Sequence, residues 1–366
     1  MDGDRGVWRH PDCPGACHDG RAHCRRAAAV AFAGGRHCLG RDRLFLLYPF
    51  QLWHLAGMAC GGARRRYRWN HFPGRASAGE LIMPSISAIM VSWHTGPVLF
   101  EAIKAVLADP DITELVLIDH ENPPAVRKML DDLARDQTRL RIVRTNKNLG
   151  FGRGCNIGAT HAKSDFLFFI NPDAEPDAGA ARRLVAALPC EEPTAIAGAR
   201  ILGTDGREQS GSRRRELTLW RAFAAFSGLA RLGLARPFGM ENDALPEAPV
   251  QVGAISGAAF AMAKSGFDQL GGFDEGYFLH VEDIDLCRRA PSVWFVPDAI
   301  VRHVGGTSRA SRFAVELEKA RSFLRYFWKF NTGAAGRIAT VIAAPVLFTA
   351  IMLRALISEI TGFLRR

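Results

Sequence analysis

A polar segment that follows a strongly apolar stretch of the chain carries side chains suited to a divalent cation. Asn171-Pro172-Asp173-Ala174-Glu175-Pro176 comes directly after residues 165–170, which read DFLFFI. Mg²⁺ and Mn²⁺ prefer oxygen ligands and usually bind one or two protein carboxylates together with phosphate oxygens. The segment therefore predicts a cation site for a diphosphate, although a proline-rich polar turn would have the same composition.

A second acidic cluster has the residue types of a general base. Glu282, Asp283 and Asp285 lie at the start of a predicted helix, within residues 271–289, which read GGFDEGYFLHVEDIDLCRR. A carboxylate held in place can take the proton from an attacking hydroxyl group. Acids in the first turn of a helix also act as caps and interact favourably with the helix dipole, so a structural role stays open.

A histidine and an aspartate at the ends of two other predicted strands extend this set. His303 follows the apolar residues 293–296. A histidine near carboxylates can bind a metal ion, although a lone histidine is more often structural. Asp119 ends the segment ELVLID at 114–119, where its carboxylate could accept a hydrogen bond from a nucleobase or a ribose, or face solvent in a loop.

A glycine-rich turn precedes another predicted helix. Residues 146–158 read NKNLGFGRGCNIG and contain four glycines. Glycine lets the backbone approach a ligand closely, and a helix N-terminus favours phosphate. The spacing matches neither the dinucleotide fingerprint nor the Walker loop, and a tight strand-to-helix connection is the simpler interpretation.

The elements that must position these residues alternate between strands and helices. Apolar runs at 86–93, 114–119, 140–144 and 165–170 predict four buried strands, and helical periodicity appears at 98–108, 125–133 and 155–162. Such alternation predicts a parallel, doubly wound α/β sheet. Ligands bind such sheets beyond the carboxyl ends of the strands, which is where the polar residues above lie.

The overall composition of the 366 residues is that of a globular protein and excludes a disordered chain, a collagen and a polytopic membrane protein. The net charge of +10 arises mainly in residues 1–82, which hold 13 Arg, no Lys and six acids. We therefore expect no nucleic-acid partner. This segment is interpreted as a disordered leader, or as upstream sequence ahead of a true start at Met83. Its cysteines and histidines (Cys13, Cys17, His18, His23 and Cys24) do not have zinc-finger spacing.

The C-terminal part predicts membrane-associated helices. Residues 312–330 form an amphipathic, basic and aromatic pattern, and residues 338–353 are uncharged but interrupted by Pro345. This apolar run is short for a membrane span, and its basic flanks favour an interfacial helix. A helix packed on the catalytic domain or in a dimer interface is the alternative. The domain prediction is thus 1–82, 83–310 and 311–366.

The order and spacing of these motifs resemble the inverting glycosyltransferases of family 2, which have the GT-A fold, and in particular their rhamnosyltransferase-like branch. The resemblance extends from about Ile86 to Ser308. Its most specific pieces are the glycine-rich segment 146–158, the Asn-Pro-Asp triplet at 171–173 and the segment 271–288. It implies a single Rossmann-like, mostly parallel sheet flanked by helices, with additional helices at the C-terminus.

The resemblance also implies a role for each matching residue. Asp283 would be the catalytic base, with Glu282 beside it in the catalytic pair, and Asp173 and His303 would bind the metal. The remaining positions fall into two groups: those for the nucleotide-sugar are Asp119, Asn148, Gly150, Phe151, Asn156, Asn171 and Asp173, and those on the acceptor side are Gly272 and Asp274.

The implied reaction transfers a sugar such as rhamnose from a dTDP- or UDP-sugar to a cell-surface glycan or a lipid-linked acceptor. The cofactor would be Mg²⁺ or Mn²⁺. The three cysteines after residue 82 show no disulfide pattern, which predicts a cytoplasmic protein, peripheral on the inner face of the membrane. A homo-oligomer is left open.

Two other classes are weighed against this interpretation. A nucleotidyltransferase would need a glycine-rich motif near the first strand, and residues 92–96 do not supply it. A non-catalytic, membrane-associated binding protein is the alternative, because the sequence departs from the family pattern at three places. Asn171 replaces an acid, His120 replaces an asparagine, and the segment after Arg289 is short.

Overall fold

The computed structural model describes residues 84–227, 229, 232–306 and 312–364. The predictions for the leader and for its cysteines and histidines lie outside these residues. The first half of the described chain alternates between strands and helices. In chain order its elements are β1 Ile86–Ser92, α1 Val98–Ala108, β2 Glu114–His120, α2 Pro124–Asp136, β3 Leu140–Thr145, α3 Phe151–His161, β4 Phe166–Ile170, β5 Ala174–Pro176 and α4 Ala180–Ala187.

The second half contains shorter strands and the C-terminal helices. Its elements are β6 Ile196–Leu202, β7 Arg213–Arg214, α5 Leu219–Ser227, β8 Val250–Gln251, β9 Ala254–Ile255, β10 Ala259–Ala263, α6 Lys264–Gln269, α7 Glu282–Arg289, β11 Val293–His303, α8 Arg312–Phe330 and α9 Ala334–Leu364.

The main sheet has nine strands, and eight of them follow the order β3-β2-β1-β4-β10-β6-β11-β5, with β8 paired to β11. The pairs β1–β2, β2–β3, β1–β4 and β6–β11 are parallel. The pairs of β10 with β4 and β6, and of β11 with β5 and β8, are antiparallel. The predicted α/β class is confirmed, and the sheet is parallel in its first half and mixed in its second.

The core lies on both faces of this sheet. Every residue of β1 and β4 is buried, as expected for central strands covered by helices on both sides. One face packs Phe169 against Phe260, with ring centroids 4.7 Å apart, and against Phe267 and Phe273. The other face packs β1, β2 and β4 against the apolar stripe of α1. The strand ends are thereby fixed at one edge of a rigid sheet.

The short connection after Arg289 joins α7 to β11 without breaking either element. A cavity of about 190 Å³ lies beside it, lined in part by Val252, Cys287, Pro291 and Tyr326. α7 itself has a buried face that includes Ile284, Leu286 and Cys287.

The C-terminal helices pack on the sheet domain with one side only. α9 contacts α5 and α8, and Leu347 and Ile351 on its inner face are buried. Its outer face exposes apolar side chains, among them Ile338, Ile342 and Val346. Residues Ala334–Leu353 are long and apolar enough to cross a membrane by length and composition, a test that core helices of soluble proteins also pass.

Candidate active site

The polar residues after β4 and at the end of β11 come together. His303 is paired in register with Ala174, which places it beside Asp173. Its Nε2 atom lies 3.1 Å from Oδ1 of Asp173 and 3.2 Å from Nδ2 of Asn171. The backbone N–H of Asn171 donates to the carbonyl of Ala258, which fixes the start of this turn. Asn171, Asp173 and His303 therefore form one cluster, here called the cation cluster.

Gln209 orients the histidine of the cation cluster, and no motif in the sequence points to this residue. Its side-chain NH₂ donates to the carbonyl of His303 at 2.7 Å, which directs its Oε1 atom towards Nδ1 of the ring, 2.9 Å away. Because an amide oxygen only accepts, Nδ1 must carry a proton. In the neutral ring, the lone pair is therefore on Nε2 and faces Asp173.

A carboxylate oxygen and an imidazole nitrogen 3.1 Å apart have the separation of two neighbouring ligands on one divalent cation, whose bonds to such ligands are about 2.1 Å long. Asp173 and His303 thus fit a divalent cation, with Asn171 beside them. In residues 84–306 and 312–364, leaving aside the few not described, no three or more His, Cys, Asp or Glu side chains form a complete metal site.

Asp283 lies at the N-terminal end of α7 and is held by three donors. Its Oδ2 accepts from Nη1 of Arg214 at 2.8 Å and from the N–H of Gly257 at 3.0 Å, and its Oδ1 accepts from the N–H of Ile284 at 2.9 Å. Burial raises the pKa of the Asp283 carboxyl, but the Arg214 charge and these hydrogen bonds outweigh it, so the pKa lies below its ordinary value. Asp283 is therefore ionised at neutral pH, as a base must be.

The cation cluster and Asp283 are joined through two adjacent residues. Ala258 accepts the backbone hydrogen bond of Asn171, and Gly257 donates to Asp283. A side chain at Gly257 would crowd the Cβ of Asp283 at 3.2 Å. The cation cluster and Asp283 thus contact the same two-residue turn.

Glu282 faces the opposite direction. It is buried against α3, where a Cβ at Gly152 would lie 3.8 Å from its own Cβ. Its Oε2 is buried and has no hydrogen-bond partner among the described residues. Burial, and then the Asp283 charge, raise the pKa of Glu282 to about 8, so it is protonated at neutral pH. The structure thus places Glu282 in a buried position against α3, and its catalytic role stays a prediction.

The backbone that leads into α7 is strained. His280 and Val281 have φ values of 66° and 71°, which is unusual for a residue with a side chain and more so for a β-branched one. His280 is half-buried, and desolvation followed by the Lys319 charge lowers the pKa of its imidazole to about 4. Strain of this kind concentrates at functional sites, since the surrounding packing must hold it.

Asp119 lies at the end of β2 and is completely buried. Its Oδ1 accepts from the backbone N–H and the side-chain NH₂ of Asn122, both at 2.9 Å. Its Oδ2 lies 3.3 Å from Nε of Arg127 and of Arg144. Asp119 therefore anchors Asn122, Arg127 and Arg144 at this strand end, and its contact with a nucleobase stays a prediction.

His120, where the family pattern has asparagine, joins β2 to β3 and to the glycine-rich turn. Its Nδ1 lies 2.6 Å from the hydroxyl of Thr145, and its Nε2 donates to the carbonyl of Gly150 at 3.3 Å. A Cβ at Gly154 would lie 2.8 Å from this ring, so the glycine makes room for the larger residue. This departure is accommodated within the fold.

The glycine-rich turn is covered by the segment that precedes α7. Asn148 accepts from the N–H of Gly150 at 2.9 Å, and Phe151 donates to the carbonyl of Phe278 at 3.3 Å. Gly150 has a φ of 86°, and a Cβ there would overlap the Phe278 carbonyl. The glycine therefore permits a close approach of two backbone segments, which is the simpler of the interpretations given by the sequence.

Asn156 and Gly272 act on the same covering segment. Asn156 donates to the carbonyl of Phe273 at 3.0 Å and accepts from its N–H at 2.8 Å. A Cβ at Gly272 would lie 2.6 Å from Oδ1 of Asn156. Asn156 thus fixes residues 272–273 through hydrogen bonds to the Phe273 backbone.

Asp274 binds two cations of α8. Its Oδ1 accepts from Arg325 at 2.7 Å, and its Oδ2 accepts from Lys329 at 2.8 Å. Lys329 also donates to Asp285 at 2.7 Å. Asp274 therefore belongs to an ion-pair network, and its acceptor-side role stays a prediction.

Comparisons with known proteins show which family and which relatives the chain is similar to. Residues 87–250 match the family model described as glycosyl transferase family 2. The chain is 27% identical over 212 residues to N-acetylglucosaminyl-diphospho-decaprenol L-rhamnosyltransferase of Mycobacterium tuberculosis, which covers 50% of this chain and 66% of that protein. It is 24% identical over 185 residues to the low-salt glycan biosynthesis hexosyltransferase Agl10 of Haloferax volcanii, covering 49% and 53%.

Among solved structures, the mannosyltransferase PcManGT from Pyrobaculum calidifontis in complex with GDP-Man and Mn²⁺ is similar, with 14% identity, a TM-score of 0.48, and coverage of 77% of this chain and 76% of that one. GalNAc-T7 with UDP, GalNAc and Mn²⁺ has 19% identity and a TM-score of 0.48, and the match covers 63% of this chain and 45% of that one.

An α/β sheet whose strand ends gather an ionised aspartate and a cation cluster is typical of enzymes that act on nucleotide-linked groups. Among these enzymes, the glycosyltransferases are the class that the chain resembles, because residues 87–250 match the glycosyl transferase family 2 model. The resemblance found in the sequence is thereby confirmed.

Proposed function

We propose that this protein is an inverting glycosyltransferase that moves a sugar from a nucleoside diphosphate to a hydroxyl group of a glycan or lipid-linked acceptor. One observation carries the proposal: an ionised Asp283 lies next to the cation cluster, joined to it through Gly257 and Ala258. A single displacement at the anomeric carbon needs a base for the acceptor hydroxyl and a site that stabilises the leaving diphosphate, and this arrangement provides both.

In the proposed reaction, Asp283 takes the proton of the acceptor hydroxyl as its oxygen attacks the anomeric carbon. The bond from that carbon to the diphosphate breaks, and the diphosphate leaves with the electron pair. Asp173 and His303 would hold the divalent cation, which when bound neutralises the charge that develops on the leaving group. Arg214 keeps Asp283 ionised and oriented before the acceptor arrives.

The similar proteins and the types of the cation ligands favour a particular donor and cation. The relatives are a rhamnosyltransferase and a hexosyltransferase, which favours dTDP-rhamnose, or a UDP-hexose, as donor. The acceptor of the first is a lipid-linked sugar diphosphate by its name, and a similar acceptor is proposed here. An imidazole ligand suits Mn²⁺ better than Mg²⁺, so we expect Mn²⁺ to be the more effective ion.

We further propose that the chain works at the inner face of the cytoplasmic membrane. The exposed apolar face of α9 supports this, as does the exposed Arg337 near its beginning, whose guanidinium lies 5.3 Å from the ring centroid of Trp328. Because the other face of α9 is packed on α5 and α8, an interfacial helix is favoured over a span.

Nucleotide release by the full-length chain tests the proposal. The assay contains UDP-, dTDP- and GDP-sugars in turn, Mn²⁺ or Mg²⁺, and a membrane extract as the source of acceptor. Release with one donor, abolished by a chelator, and an inverted anomeric centre in the product are the expected results. If the folded chain binds no donor at all, the non-catalytic alternative replaces the proposal.

A further inference from the structure

The segment Gln209–Arg214 includes the end of the β6–β7 connection and β7 itself. It carries neither an acid nor a histidine, yet it contacts both His303 and Asp283. Gln209 binds His303, 94 residues away in sequence, and Arg214 binds Asp283, 69 residues away. These two side chains are separated by four residues of one segment.

The segment is tied to the sheet at several points. The N–H of Gln209 donates to the carbonyl of Ile201 at 2.8 Å, and Ser212 accepts from the N–H of Ile201 at 3.0 Å. β7 pairs with β9, with Arg214 opposite Ala254. Hydrogen bonds on both sides leave little freedom for the two side chains at its ends.

A buried ion pair fixes the segment further. Arg213 and Glu208 are both nearly inaccessible, with Nε of Arg213 2.9 Å from Oε1 of Glu208. Arg213 also lies over the ring of Phe295 in β11, 5.1 Å from its centroid. Arg213, which precedes Arg214 in the segment, therefore packs against β11, the strand that carries His303.

We propose that Gln209–Arg214 is the positioning segment of the site, in which Gln209 sets the ring of His303 and Arg214 sets the carboxylate of Asp283. The inference deepens the proposed function and rests on it for the role of Asp283. Gln209 and Arg214 act through other residues, so they are positioning residues. A displacement of about 1 Å at a reacting group can lower turnover by about 10²-fold.

The first experiment compares Arg214→Met and Arg214→Lys with the control Arg207→Met. Arg207 lies in the same connection and is exposed. We expect Arg214→Met to lower kcat by about 10²-fold with the donor KM unchanged, and Arg214→Lys to recover a large part of it because an ammonium can still bind Asp283. The Arg214 role would be overturned if Arg214→Lys lost as much kcat as Arg214→Met. It would also be overturned if the loss of kcat in each variant followed its loss of thermal stability.

The second experiment measures Mn²⁺ binding to the full-length chain in the presence of UDP, by electron paramagnetic resonance of the free ion. Gln209→Leu is expected to weaken Mn²⁺ binding by about 10- to 100-fold, as is usual when the partner of a metal-binding histidine is removed. Gln209→Glu should weaken it less, because its carboxylate still accepts from Nδ1–H. Unchanged binding in Gln209→Leu, or no binding to the unaltered chain, overturns the Gln209 role.

The two experiments separate this inference from the proposed function. If the unaltered chain releases no nucleotide from any donor, the proposed function fails, while the Mn²⁺ titration still decides whether Gln209 positions His303. If nucleotide is released and all four variants behave like Arg207→Met, the function stands and the positioning segment is rejected.

Discussion

Adjacent carboxyl groups at the start of α7 have opposite environments. Asp283 receives three hydrogen bonds and the Arg214 charge, whereas Oε2 of Glu282 is buried with no partner among the described residues. Their pKa values are therefore moved in opposite directions, as in other pairs of carboxyl groups with separate roles. The first two predictions follow from this difference.

Replacing Asp283 by asparagine is expected to lower kcat for nucleotide release by about 10²- to 10⁴-fold, because asparagine cannot take the proton of the acceptor. Donor binding, measured by calorimetry, should change little. Asp268→Asn is the matched control, since that carboxyl is 61% exposed and its ion pair is with Lys264 of α6. Near-normal turnover of the Asp283 variant would remove Asp283 from the role of base.

Replacing Glu282 by glutamine is expected to change the pH dependence of stability. The raised pKa, about 8 against an ordinary 4.5, means that the folded chain keeps a proton that the unfolded chain has released. Between these values, this group lowers the free energy of unfolding as pH rises. The gain in melting temperature from Glu282→Gln should therefore be small at pH 5 and larger at pH 8.5.

The exposed Glu191→Gln gives the control for this measurement. It should leave the pH dependence of the melting temperature as it is in the unaltered chain. A gain for Glu282→Gln that is the same at both pH values would mean that the carboxyl is ionised in the folded chain throughout, and a loss of turnover as large as that of Asp283→Asn would place Glu282 in the catalytic group.

Sequence reasoning at the residue scale found the groups that could react but not those that position them. Asp173, Asp283 and His303 have chemically distinctive types at strand and helix ends, and the structure places them together or nearby. Gln209 and Arg214 are ordinary surface types, and their importance comes from contacts across 94 and 69 residues. The carboxylate of Asp274 looked available in the sequence because the cations that bind it lie on α8.

At the scale of elements, α8 and the segment before α7 form one ion-pair network. Lys329 binds both Asp274 and Asp285, and Arg325 binds Asp274. Tyr277 donates to Asp285 at 3.1 Å, and Ser322 of α8 donates to the carbonyl of Leu279 at 3.0 Å. The strained residues 280–281 are therefore held between α8 and α7.

Asp274→Asn is expected to destabilise the protein by on the order of 2 kcal/mol at pH 7. Burial raises the pKa of Asp274, but Lys329, the N–H of Gly276 and Arg325 lower it to about 2. A lowered pKa stabilises the folded state above the unfolded value of 3.8, and this contribution disappears as pH falls through about 2.

The measurement is the free energy of unfolding in urea at pH 7 and at acid pH. The difference between Asp274→Asn and the unaltered chain should shrink steadily below pH 4. Asp298→Asn, in which an exposed carboxyl is removed, is the control. A difference that does not depend on pH would show that the packing of residue 274, and not its charge, is what matters.

The elements that the sequence predicted well are those with long apolar runs. β1, β2 and β4 are buried over their length, and their spacing with helices fixed the class of the fold. β10 was missed because AFAMA is short and rich in alanine, and β7 and β9 contain two residues each. Their antiparallel pairings depend on partners that are distant in the sequence, so no local pattern predicts them.

At the scale of the whole molecule, the site and the outer face of α9 are connected through α8. The beginning of α8 lies near His280, its end binds Asp274, and α9 follows directly. A partner bound by α9 would therefore lie on the same structural unit as the segment before α7. This arrangement supports an acceptor that is delivered from a lipid surface.

Charged substitutions on the outer face of α9 test this arrangement. Ile342 and Val346 are one helical turn apart, 67% and 48% exposed, and do not support the core. Burying such a side chain contributes about 1.5–3 kcal/mol, so Ile342→Glu and Val346→Glu should each weaken sedimentation with vesicles that contain anionic lipid by roughly tenfold or more. Leu232→Glu, at a leucine that is 72% exposed outside α9, should bind vesicles like the unaltered chain.

Nucleotide release in detergent should be the same for all three variants, because none of these residues touches the cation cluster or Asp283. Vesicle binding that is unaffected by either α9 substitution, together with a change from dimer to monomer in gel filtration, would assign this face to a second copy of the chain instead of the membrane.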